Sequence, residues 1–326
     1  LVVGILVSCA SDSREDASAT LPTSAGLVTG DPSGTGSSTT DDSSSDSSDE
    51  PKLDVGAGTG GPPMQGDDSA CPCGENADLI YVLSDQATLF TYNPATNSFN
   101  PLGAFNCPGS GAFDTTFSMG VARSGIAWVM YTPSGDIFHV DVNDANVCTD
   151  PGYEPGYAGF TLFGMAFVSQ SLNSPCDTLY AHSFSGGLGG FSEGAGSGQL
   201  GKVVDLLPQY ISTIDYDGGE LTGTGDGRLF AFAGTNPAKL VEYDKTDGSV
   251  IETTQLNGLE LTNAFAFAFW GGDFYFFTEG DGFSGTSKVT RLDHDGDGSL
   301  ATINTDAPIR IVGAGVSTCA PIVPPG

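Results

Sequence analysis

Five times, at intervals near 50 residues, this chain of 326 residues returns to one phrase: a β-prone run, a turn, and a second run with an apolar residue near its end. The returning positions are Tyr92, Val140, Phe191, Tyr243 and Leu292, spaced 48, 51, 52 and 49 residues apart. A strand-built unit of that length cannot bury its apolar faces alone, so copies of it stack, most often around an axis. From Ala77 onward the runs are short and separated by Gly, Asn, Asp and Pro, and none has a 3.6-residue period long enough for a helix. The predicted class is all-β.

Each unit divides into three clear runs and usually a weaker fourth. The first is rich in small residues: Ser118–Ala122, Phe163–Phe167, Leu221–Gly225, Ala264–Ala268 and Ile311–Gly315. The second is bulkier: Leu79–Leu83, Ala127–Tyr131, Thr178–His182, Arg228–Phe232 and Asp273–Phe277. The third holds the returning residue and ends in a turn such as Asn93–Asn97 or Asp244–Gly248. Four antiparallel strands with the Gly/Ala-rich strand first resemble the blade of a β-propeller, whose inner strands crowd an axis and leave little room for large side chains. The resemblance spans Ala77 to Cys319 and is architectural, since neither a WD dipeptide nor a kelch double glycine recurs. The first unit lacks a small-residue strand before it and the last such strand, from about Ile309 to Val316, has no unit after it. The C-terminal strand is therefore expected to complete the first blade, which removes two exposed sheet edges. Five blades are predicted. A six-bladed ring with a degenerate blade near Gly198 to Tyr216, and a pair of β-sandwiches, are the competing architectures.

The N-terminus reads differently. Leu1–Ser8 is apolar, too short to span a bilayer, and ends at Cys9. Leu6-Val7-Ser8-Cys9 resembles the lipobox of bacterial lipoproteins, in which the signal peptide is cut just before a cysteine that is then acylated. The resemblance implies a lipid anchor on Cys9, a membrane partner through its acyl chains, and a place in the envelope of a Gram-negative-type bacterium, at the outer membrane or cell surface. Leu1 is not a Met and no basic segment precedes the apolar run, so a few residues are expected upstream. Residues 1–8 are then signal peptide and residues 9–76 a lipidated cysteine and tether, with the propeller at 77–320 and a tail at 321–326. The tether is Ser, Thr, Asp, Gly and Pro with almost no aromatics, a composition that cannot offset its ordering entropy by burial. Gly56-x-Gly58-x-x-Gly61 inside it has no preceding strand and is followed by Pro62-Pro63, so it reads as linker and not as a dinucleotide fingerprint.

Charge excludes one class of partner. The chain carries 40 acidic against 10 basic residues, a net charge of −30. Removing the 13 acidic and 2 basic residues of Ala10–Asn76 still leaves 27 against 8, so the excess is not a tail effect. A polyanion such as nucleic acid would be repelled. Beyond Cys9 there are six cysteines: Cys71, Cys73, Cys107, Cys148, Cys176 and Cys319. An even set in an exported protein reads as three disulfides, and Cys71-Pro72-Cys73 lacks zinc-knuckle spacing. If the ring closes as expected, Cys319 arrives near Cys71 and Cys73, and a bond there locks the seam. Cys107 with Cys148 is the favoured second pair.

The sharpest local motif is Asp293-x-Asp295-x-Asp297-Gly298-Ser299. Alternate oxygen ligands with glycine at the sixth position are how a loop wraps calcium, although Asn304 stands where an EF-hand needs its bidentate Glu. The motif resembles the calcium loops that replace hairpin turns in some extracellular propellers, with an acidic turn that binds nothing as the alternative. His294 within it is expected to face solvent, and His139 and His182 to be strand residues with satisfied partners. No His-Glu-x-x-His, Gly-x-Ser-x-Gly or Walker loop occurs, so no catalytic residue is assigned. Glu220, Asp226 and Asp273 lie beside inner strands, where an enzyme of this architecture could gather acids in its channel. The functional expectation is a monomeric, lipid-anchored binding or scaffold module, with calcium as a stabiliser and an unknown protein or carbohydrate as partner. The alternative is a propeller-type hydrolase or lactonase-like enzyme.

Overall fold

The computed structural model describes residues 71–325, except 109, 173, 186–190 and 281–284. Cys9 and most of the tether lie outside the described residues. Twenty strands form five four-stranded antiparallel sheets, and the fold is a five-bladed β-propeller. Blade 1 contains β1 (Ile80–Ser84), β2 (Thr88–Asn93), β3 (Ser98–Ala104) and, innermost, β20 (Ile311–Val316). Blade 2 is β4 (Thr115–Val121), β5 (Ile126–Thr132), β6 (Ile137–Asp141) and β7 (Asp144–Thr149). Blade 3 is β8 (Leu162–Ser171), β9 (Ser174–Phe184), β10 (Ser192–Val204) and β11 (Leu207–Asp217). Blade 4 runs through β12 (Glu220–Gly223), β13 (Leu229–Ala233), β14 (Lys239–Tyr243) and β15 (Val250–Gln255). Blade 5 completes the ring with β16 (Phe265–Trp270), β17 (Asp273–Glu279), β18 (Ser287–Leu292) and β19 (Leu300–Asn304).

The five small-residue runs are the five inner strands, and the predicted closure holds: β20 pairs with β1 from Ile80↔Val316 to Ser84↔Ile311. Blades stack face to face, so a strand is buried on both sides, and its alternate residues serve different interfaces. In β1, Ile80 and Val82 pack with Tyr92, Ala266 and Phe277 toward blade 5, whereas Tyr81 and Leu83 pack with Met119, Val121 and Val129 toward blade 2. Three further clusters fill the other interfaces, around Phe163 and Met165, around Leu200 and Leu229, and around Phe232 and Phe276. Each fully buried large side chain of this kind contributes about 2 kcal/mol relative to exposure. The inner glycines are required by close approach: a Cβ on Gly223 would lie 2.1 Å from the Phe167 carbonyl oxygen of the neighbouring blade.

Two sequence expectations are corrected. The segment Gly198–Tyr216 is no degenerate blade; it belongs to β10 and β11, a long outer hairpin of blade 3. For the same reason Phe191 is not the returning residue of its unit, because it precedes β10. The structural equivalent is Val203, which pairs with Leu179 as Tyr92 pairs with Ile80, Tyr243 with Leu229 and Leu292 with Phe274. The hairpin's extra length displaces the pairing position, so the true spacing across blade 3 is uneven.

All six cysteines are paired: Cys73–Cys319, Cys107–Cys148 and Cys71–Cys176. The first locks the seam and the second is the pair favoured from sequence. The third ties the start of the domain to β9 of blade 3, because residues 71–74 run across one axial end of the ring.

Candidate functional site

The two ends of the ring axis differ. Where the inner strands finish, blades 1, 2 and 3 are joined by a polar plug. The Arg123 backbone N–H donates to Asp177 Oδ2 (3.0 Å), and its side chain donates to the Cys71 carbonyl (2.9 Å) and to Thr318 Oγ1 (3.2 Å). Arg123 is 5% exposed. Burial pushes the Asp177 carboxyl above its ordinary range, while the hydrogen bond and charge of Arg123 pull the other way. The Cys71–Cys176 and Cys73–Cys319 bonds flank this plug.

Where the inner strands begin, all five blades contribute to an open cavity of about 130 Å³. Its floor is Glu220, the first residue of β12, which is 5% exposed. The Glu220 carboxylate reaches across blade 3 to blade 2: Ser118 Oγ donates to Oε2 (2.8 Å), and Ser118 Oγ accepts in turn from the Met165 N–H (3.3 Å). Burial raises the Glu220 pKa well above the usual glutamate range, and the hydrogen bonds from Ser118 and the Met165 backbone only partly offset this.

The strap that delivers Glu220, Asp217–Gly219, is clamped by the end of β9. Asp217 accepts from Ser183 Oγ (2.7 Å) and from the Ser185 hydroxyl and N–H, and Gly218 N–H donates to the Ser183 carbonyl (2.9 Å). His182 Nδ1 lies 3.3 Å from both the Gly219 N–H and the Ser183 carbonyl oxygen, so it meets the strap whichever ring nitrogen carries the proton. His182 is fully buried, and burial pushes its pKa down to about 4. Its Nε2 has no hydrogen-bond partner among the described residues, and neither does His139 Nε2, which lies beside Trp128 at 4.4 Å between ring centroids. Both histidines were expected to have satisfied partners; instead each has a buried Nε2 without one among the described residues.

The walls are of two kinds. One side is aromatic: Phe117, Phe184 and Phe265 line the cavity. They belong to an edge-to-face arc that continues through Phe191, with centroids 5.1 Å (Phe117–Phe184), 6.1 Å (Phe184–Phe191) and 5.4 Å (Phe191–Phe265) apart. The other side is ionic: Arg310 is held between Asp85 (3.3 Å) and Glu279 (2.8 Å). Thr116 Oγ1 is already committed to the Ser84 carbonyl, whereas Thr115 and Asn263 are exposed at the rim.

Of the acids expected beside the channel, the structure brings only Glu220 to this mouth. Asp226 follows β12 at the plugged end, where Thr224 Oγ1 donates to it. Asp273 opens β17 at that same end and is paired with Arg291 (2.7 Å). The Asp293–Ser299 segment is the β18–β19 hairpin turn, closed by Gly298 N–H to the Asp293 carbonyl (2.9 Å) and by Ser299 N–H to Asp297 Oδ1 (2.8 Å). Asp293 faces Arg291 at 3.4 Å, and Asp295 lies against Gly272. Among the described residues no three His, Cys, Asp or Glu side chains are gathered to hold a metal ion. His294, expected to face solvent, packs edge-on against Phe274 at 5.0 Å. Trp270 Nε1 donates to the Asp78 carbonyl (2.9 Å), so it joins blade 5 to blade 1. Sequence reading missed the aromatic arc, since its members come from four separate runs, and it missed Asp85 and Arg310, whose closeness depends on ring closure.

No family model matches the chain. No characterised protein matches it in sequence. Among solved structures it is similar to a protein of unknown function from Bacteroides caccae, with 10% identity and a TM-score of 0.41 over 73% of this chain and 97% of that one. It is also similar to a chain of a nidogen–laminin complex, with 8% identity and a TM-score of 0.46 over 73% and 97%. A third likeness is to the PQQ-bound aldose sugar dehydrogenase of Streptomyces coelicolor, with 13% identity and a TM-score of 0.41 over 75% and 84%.

Proposed function

We propose that this chain is a lipid-anchored recognition module of the cell envelope, whose propeller receives a small ligand, or the end of a longer one, at the mouth where the inner strands begin. The observation that carries the reading is the cavity at that mouth, with a buried carboxyl at its base and an aromatic wall facing an ionic wall. A pocket of this make-up, apolar with a few convergent polar groups, is where small molecules bind in folded proteins. Glu220 could donate a proton, but the other acids expected to share its task lie at the plugged end, and this favours binding over hydrolysis.

The test is a thermal-shift panel of monosaccharides, amino acids, small carboxylates and alkylamines, run on the wild type and on Thr115→Trp. Thr115 is exposed at the rim, so the indole fills the mouth while leaving the core intact. At least one class is expected to raise the melting temperature of the wild type and not of the variant; a panel in which the two respond alike contradicts the reading.

Anchoring rests on the lipobox resemblance at Leu6–Cys9. Cys9→Ala is expected to move the protein from the membrane fraction to the soluble fraction, and unchanged partitioning sinks the anchor. Calcium in the Asp293–Ser299 turn is a separate proposal that rests on ligand spacing alone. EDTA should then lower the melting temperature of the wild type but not of Asp295→Ala; no response in the wild type removes calcium from the picture.

A further inference from the structure

We infer that the mouth takes a small organic ammonium cation, seated against the Phe117–Phe184–Phe265 wall over Glu220. The inference rests on the mouth being the binding site, and it is carried by four observations.

First, the size is right for a head group: an apolar cavity of roughly 150 Å³ holds one benzene ring, and this one is about 130 Å³. Second, one wall is aromatic, with Phe117, Phe184 and Phe265 lining the cavity. Aromatic rings attract a cation that sits over their faces. Third, among the described residues that line the mouth Arg310 is the one positive group, and it is already bound to Asp85, which also lines the mouth, and to Glu279 beside it, two carboxylates for one guanidinium. The site therefore bears a net negative charge, within a chain of net −30, so that an anion is repelled and a cation drawn in. Fourth, the polar groups at the base are few and occupied: Thr116 is spent on Ser84, and Ser118 on Glu220. A sugar, which needs several free donors and acceptors, finds few there.

The experiment is isothermal titration calorimetry of the wild-type protein with choline and with 3,3-dimethyl-1-butanol, its uncharged carbon isostere. Choline is expected to bind at least about tenfold more tightly than the isostere, and Phe184→Ala should weaken choline about tenfold. Equal binding of the isostere overturns the inference, a reading that comes from the wild type alone. If alkylamines fail while another class stabilises the wild type and not Thr115→Trp, the mouth stands and the cation falls; if no class does so, both fall. Given choline binding, sedimentation with phosphatidylcholine vesicles assigns the head group to a membrane lipid, and its absence to a soluble cation; either supports the class.

Discussion

Replacing Cys73 and Cys319 together by serine is expected to lower stability by roughly 4–5 kcal/mol, because that disulfide closes the longest loop in the molecule. The two cysteines are 246 residues apart in sequence, while Cys107 and Cys148 are 41 apart. In the chain-entropy picture the gain rises with the logarithm of loop length, so the seam bond outweighs the Cys107–Cys148 bond by about 1.5 kcal/mol. For a domain of this size such a loss corresponds to a fall in melting temperature of about 10 °C. The fall should be larger than for Cys107→Ser with Cys148→Ser. The physical reason is local as well as entropic. Strand β20 is held in blade 1 by its pairing with β1 and by the packing of Ile311, Ala314 and Val316, and it is the only strand of that blade supplied from the far end of the chain. Calorimetry on the two double variants decides the matter. A seam variant melting within a degree or two of the wild type would mean that strand pairing alone secures the ring.

Gly164→Ala is expected to be strongly destabilising, although it adds a single methyl group. A Cβ at that position would lie 2.2 Å from the Gly219 carbonyl oxygen and 2.7 Å from the Glu220 Cα, both backbone atoms of the strap that floors the mouth. Neither can yield as a side-chain tip would. The strap is fixed on its other side by Ser183, Ser185 and His182. Overpacking of this kind costs about 3 kcal/mol or more, and here the displacement is directed into the cavity. The variant should therefore lose both stability and ligand binding, as read by a thermal melt with and without the best compound from the panel. Loss of stability with undiminished binding would show that the strap does not set the mouth's shape.

Much of the ring was legible because it is written in short-range pattern. The small-residue runs at Ser118–Ala122 and Ile311–Gly315, and the offset between the first bulky run and the last small one, follow from what an inner strand and a closed sheet require. The Cys73–Cys319 bond follows from the same offset. Blade 3 misled the reading because periodicity assumes equal strand lengths: β10 and β11 run 13 and 11 residues, against 5 or 6 for their counterparts in blade 4. The added length moves the buried pairing residue from Phe191 to Val203. The site was legible only in Glu220. Phe117, Phe184 and Phe265 each look like core residues within their own runs, and only the ring's closure turns them toward a common opening. The Cys71–Cys176 bond was hidden for a related reason, since it depends on the path of residues 71–74 across the axial end, where no repeat pattern reaches.

The mouth is tested most directly by hydrogen exchange of the wild-type protein with and without whichever compound of the panel stabilises it most. Bound ligand should slow exchange in residues 115–117, 182–185, 218–220 and 263–265, which surround the cavity from four blades, and leave the Arg123–Asp177 end unchanged. Protection confined to the outer strands β3, β7, β11, β15 and β19, with those four segments exchanging as before, would place recognition on the rim of the blades and contradict a ligand site on the axis.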